Sequence, residues 1–71
     1  MTNNSKYFFD LVQRYMPDHT TTRQGETDTI IHVEDCVSRK VISVDFGRKI
    51  IFGACDRDDI LVMLQVLTRA S

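Results

Sequence analysis

Between Thr29 and Phe52 the chain carries three short apolar runs, Thr29-Ile30-Ile31-His32-Val33, Val41-Ile42-Ser43-Val44-Asp45-Phe46 and Lys49-Ile50-Ile51-Phe52. Branching at Cβ and aromatic rings suit a pleated, half-buried surface better than a helix. Turn-forming segments at Glu34 to Arg39 and around Gly47 separate the runs, so the pattern predicts an antiparallel meander of three strands. The middle strand sorts by alternation, with Ile42, Val44 and Phe46 on one face and Val41, Ser43 and Asp45 on the other. In the third strand the turn decides. A three-residue loop around Gly47 sends Ile50 and Phe52 inward, whereas a two-residue loop sends Ile51 and Lys49 inward and Phe52 outward. The first arrangement is the expectation carried forward.

Helical periods flank the meander. Phe8, Leu11, Val12, Tyr15 and Met16 fall on one helical stripe, which predicts a helix over 5–16, capped by Asn4 or Ser5 and ended by Pro17. Phe9 and Tyr7 lie off that stripe. A second helix is predicted over 57–69, with Asp56 as the cap, Asp58 and Asp59 in the first turn and Arg69 near the end, each placed to suit the helix dipole. Its apolar residues cover more than half the circumference, so it should sit centrally. The stretch 17–28 is polar apart from Pro17 and reads as an exposed loop, and 1–4 as a flexible start. The fold class expected is α+β, a single small α-β-β-β-α domain over 1–71 with both helices on one face of a three-stranded antiparallel sheet. Its core should hold Phe8, Leu11, Val12, Tyr15, Ile31, Val33, Ile42, Val44, Phe52, Leu61, Leu64 and Leu67.

Composition narrows the function. Nine Lys and Arg against ten Asp and Glu leave a net charge of −1, which removes the electrostatic case for nucleic-acid binding by the surface as a whole. No run approaches the ~20 apolar residues of a membrane span, and no export segment is visible, so the expectation is a cytoplasmic protein without a membrane partner. Cys36 and Cys55 then read as reduced thiols.

No constellation of residues supplies a chemistry. Cys36, Cys55, His19 and His32 are the whole stock of soft metal ligands, and none pair at a metal-binding spacing, so neither a metal nor a cofactor is expected. Cys55 precedes a helix start that could lower its thiol pKa, but Asp56, Asp58 and Asp59 act in the opposite sense. Those aspartates are accounted for by capping and by the helix dipole. With no nucleophile, base and oxyanion donor assignable together, an enzyme is not expected. The positive charge concentrates in Arg39, Lys40, Arg48 and Lys49, on turns at opposite ends of a meander. In its element order alone the chain is similar to double-stranded-RNA-binding domains. Those carry a basic cluster at the start of the second helix, where this chain has Cys55-Asp56-Arg57-Asp58-Asp59.

What remains is a surface. In the expected register the face without helices carries Ile30, His32, Val41, Ser43, Asp45, Lys49 and Ile51, and a charged helix start with Arg57, Asp58 and Asp59 offers a second docking point. The function expected is a non-enzymatic module that binds another protein through these residues, as an inhibitor or regulator of a larger complex. Viruses and mobile elements encode many small proteins of that kind. Two alternatives stand beside it: a nucleic-acid-binding module using Arg39, Lys40, Arg48 and Lys49, and a structural homodimer joined through the uncovered face.

Overall fold

A computed structural model describes residues 3–70, with side chains from residue 5 onward. The order is α1 (Asn3–Tyr15), β1 (Thr20–Gln24), β2 (Ile30–Asp35), β3 (Val41–Asp45), β4 (Ile50–Gly53) and α2 (Asp58–Ala70). The class is α+β, but the sheet has four strands rather than three, in the order β1-β2-β3-β4 with every neighbouring pair antiparallel. The added strand lies inside 17–28, so that stretch is not a loop throughout. Thr20-Thr21-Thr22-Arg23-Gln24 is polar, yet its threonines are β-branched and it adds to the free edge of β2, with Thr22 opposite Val33 and Gln24 opposite Ile31. This strand also separates the chain from the α-β-β-β-α order of the RNA-binding domains.

Met1 and Thr2 of the expected flexible start lie outside the described residues, and Asn3 and Asn4 already belong to α1. Ser5, an expected cap, is therefore inside the helix and buried. Its small side chain heads the stripe that faces the sheet, continued by Phe8, Val12 and Met16. That stripe leans toward Phe9, which is partly buried, and away from Tyr15, which is 49% exposed rather than in the core.

The hairpins share one construction. Backbone bonds Gly25 N–H to Ile30 O (2.8 Å) and Asp35 N–H to Lys40 O (2.9 Å), together with the Asp45–Ile50 pair, close three successive four-residue loops ten residues apart. In the second and third loops the last residue takes a left-handed conformation, Arg39 at φ 65° and Lys49 at φ 58°. The residue before each of these two loops is an aspartate whose Oδ1 accepts the backbone N–H two positions on, from Val37 at 2.9 Å and from Gly47 at 3.1 Å. The loop at Gly47 thus spans Phe46 to Lys49 and has even length, not three residues. Evenness pairs Val44 with Ile51 and Ser43 with Phe52, which reverses the expected third strand: Ile51 faces the helices, while Ile50 and Phe52 face away.

The core is one cluster. Ile31, Val33, Ile42 and Val44 from the two central strands meet Phe8 and Val12 of α1 and Ile60, Leu64 and Leu67 of α2. Leu11 and Leu61, expected in the core, are only partly buried, and Phe52 is not in it. Ile60 was not expected there; it shares the inward face of α2 with Leu64 and Leu67 at the helical period. Phe46, leaving β3 at the turn, stacks on Phe8 with ring centroids 4.6 Å apart. α1 packs over β1 and against α2, and α2 reaches β4.

Candidate interface on the uncovered sheet face

With both helices on one side, the other face of the sheet is bare of helix. Register arranges its side chains in three rows: Thr21, Glu34 and Val41; Arg23, His32, Ser43 and Phe52; and Ile30, Asp45 and Ile50. The face is not uniform. Its middle is polar and closed, since Ser43 is only 4% exposed and Asp45 only 7%. Its β4 border is apolar and open, with Ile50 46% and Phe52 43% exposed.

His32 organises the polar centre. Its Nδ1 lies 2.5 Å from Ser43 Oγ, and its Nε2 lies 3.2 Å from both carboxylate oxygens of Glu26. An imidazole with Nε2–H donated to Glu26 accepts the Ser43 hydroxyl proton at Nδ1, so one ring ties three segments together. Glu26 comes from the β1–β2 loop, which is thereby folded onto the sheet. A backbone N–H of its own residue and then His32 hold its carboxyl below the usual range. Serine, imidazole and carboxylate in a row have the composition of a nucleophile relay. Ser43, however, sits mid-ladder between β2 and β4, where neighbouring backbone N–H groups serve the sheet, and Glu26 stands in solvent. The row is suited to fixing the loop.

Asp45 is held in the same face. Burial would raise its carboxyl pKa, but the Thr29 hydroxyl, the Arg48 and Gly47 N–H groups and the Arg48 charge together hold it below the ordinary value. Ile30, His32, Val41 and Asp45 therefore lie where they were expected, on one face. Lys49 is in the hairpin turn at its end. Ile51 is on the opposite face, beside a shallow groove of about 210 Å³ that it lines with Lys49, Gln65, Thr68 and Arg69.

The charged helix start is a separate place. Arg57 forks onto the Asp59 carboxylate at 2.7 and 3.2 Å and donates to Asp18 O at 3.0 Å, so it fastens α2 to the α1–β1 connection. That pairing raises the Arg57 pKa and lowers that of Asp59. Asp56 is not the cap; its carboxylate lies 3.6 Å from Lys40 Nζ. Among the basic turn residues Arg39 pairs with Glu34 (3.3 Å) and Arg48 with Asp45 (3.9 Å), and the two turns occupy opposite ends of the sheet. Among the described residues no three His, Cys, Asp or Glu side chains gather to hold a metal ion. Cys55 donates its thiol to Arg57 O and Cys36 lies 3.2 Å from Thr21 Oγ1. None of the helices described is long and apolar enough to cross a membrane.

Sequence reasoning missed Glu26, Ile50 and Phe52. Glu26 left no signal, because only the β1–β2 hairpin brings it to His32. Ile50 and Phe52 depended on loop parity alone. Against protein-family models, curated proteins and solved structures, the chain finds no match.

Proposed function

We propose that this chain is a non-enzymatic protein-binding module of the cytoplasm that docks its uncovered sheet face on another protein and thereby regulates or inhibits a larger complex. One observation carries the reading: apolar Ile50 and Phe52 are more than two-fifths exposed beside a polar centre whose His32 and Asp45 are engaged by Ser43, Glu26 and Arg48. An apolar border next to fixed charges is the composition of a selective interface, since the border supplies burial and the charges supply register. Ile30 and Val41 extend the contact across the sheet, and Arg23 and Glu34 give it one charge of each sign.

The test compares three tagged baits in lysate of the source cells: the native chain, Val41→Lys on the uncovered face, and Val62→Lys on the exposed back of α2. The expected result is one stoichiometric protein, lost with Val41→Lys and kept with Val62→Lys. Recovery of nuclease-sensitive material only, or equal recovery by all three baits, would overturn the reading.

A further inference from the structure

The two edges of the sheet are built differently. β1 is Thr-Thr-Thr-Arg-Gln, a polar strand carrying the charge and hydroxyls that discourage further pairing. β4 is Ile-Ile-Phe-Gly, without a charge, a proline or a bulge inside it, and three of its four residues are exposed. The most apolar strand is thus the least covered.

Hydrogen-bond parity says what this edge presents. Ala54 N–H donates to Val41 O at 3.0 Å, so in the β3–β4 ladder Ile50, Phe52 and Ala54 turn their backbone groups toward β3. Ile51 and Gly53 turn theirs outward. Ile51 thus offers both its N–H and its C=O to the open edge, and the exposed Ile50 and Phe52 side chains flank it symmetrically. A symmetric edge is complementary to itself under a two-fold axis.

We propose that β4 pairs antiparallel with β4 of a second copy of this chain, centred on Ile51, to form an eight-stranded sheet across the dimer. In an antiparallel pair directly opposed residues share a face, so the register must match residues of like parity. Centring on Ile51 does this. Ile51 exchanges both backbone bonds with Ile51 of the second copy, and Ile50 lies opposite Phe52 of the second copy on the uncovered face. The charges agree with the direction. Antiparallel pairing sets the Arg48-Lys49 turn of each copy beside the Asp56-bearing end of the other, whereas parallel pairing would set like charges together. This pairing does not depend on the docking reading above.

The test measures mass by sedimentation equilibrium over a range of concentrations, with amide exchange on the same samples. Two variants carry charge on the exposed side chains, Ile50→Lys with Phe52→Lys, and Ile50→Glu with Phe52→Glu. The expected result is a monomer–dimer equilibrium in which the Ile51 amide becomes protected as concentration rises. Each charged variant alone should lose the dimer, and the two mixed should restore it, because every opposed pair is then Lys with Glu. A single-chain mass at every concentration would overturn the pairing, as would a dimer whose Ile51 amide stays unprotected or one that persists in both variants alone. Should a variant fail to fold, the concentration dependence of Ile51 protection in the native chain still decides.

Discussion

Gly53 ends β4 at φ 107°, a conformation that side-chain-bearing residues rarely adopt. Space is also lacking, since a Cβ there would stand 2.6 Å from Val41 O and 3.1 Å from the Ile42 Cα. Gly53→Ala must therefore strain the backbone or push β3 away from β4. It should cost about 1–3 kcal/mol, read as a lower urea midpoint at unchanged slope, while Ala54→Ser next to it should change little. An unaltered midpoint in Gly53→Ala would mean that β4 does not end as described. At this scale the sequence misleads through its strongest signal. Gly47 marks the β3–β4 turn, yet the left-handed residues of the β2–β3 and β3–β4 loops are Arg39 and Lys49, which no sequence rule selects. Loop length follows from those conformations, and the exposure of Ile51 and Phe52 follows from loop length.

Among the elements, the β2–β3 and β3–β4 hairpins share a device with a pH signature. Asp35 is held below the ordinary carboxyl range by the Val37 N–H first, against the opposing effect of burial, with Ser38 helping. Asp45 is lowered by the bonds already described, against burial. A carboxyl whose folded pKa is depressed stabilises the fold above its unfolded pKa, near ~4, and that stability is lost as pH falls through the lower folded value. Acid should therefore unfold the chain from below about pH 4. Asp45→Asn keeps an oxygen for the Gly47 N–H but loses the charge facing Arg48. Its urea midpoint should lie below that of the native chain near neutral pH, with the gap narrowing as pH falls below the ordinary carboxyl range; parallel curves would show that the charge at Asp45 contributes nothing. The elements differed in how far they could be read. α2 was expected over 57–69 and runs Asp58–Ala70, because one stripe of buried residues sets its period. β1 was missed because its core-facing positions are Thr20, Thr22 and Gln24, so the strand alternates between polar and polar. Only the Cβ branching of its three threonines hinted at it.

At the scale of the whole molecule, those same residues define where stability is thinnest. A chain of 71 residues buries a modest share of its surface, and its net stability is a small difference between large terms. The core draws on β2, β3 and both helices, while β1 contributes a polar layer beneath α1. Two of its three inward side chains are engaged with backbone: Thr20 Oγ1 donates to Pro17 O at 2.7 Å, and Gln24 Nε2 donates to Thr27 O at 2.6 Å and Ile30 O at 2.9 Å. Gln24 Oε1 is buried without a partner among the described residues. Thr22 sits between them, half-buried and opposite Val33, and among the described residues its hydroxyl forms no hydrogen bond. Valine has nearly the same shape and strand preference, and puts a methyl on the inward side of β1 where the hydroxyl bonds no protein group among the described residues. Thr22→Val should add about 0.5–1 kcal/mol, which for a domain of this size is a rise of a few degrees in Tm. Thermal unfolding followed by circular dichroism measures the rise, and slower amide exchange at Thr21 and Arg23, whose backbones bond to β2, locates it. A fall in Tm would place the Thr22 hydroxyl in a bond that the fold needs. A rise with unchanged exchange in β1 would move the gain to α1, which packs above it.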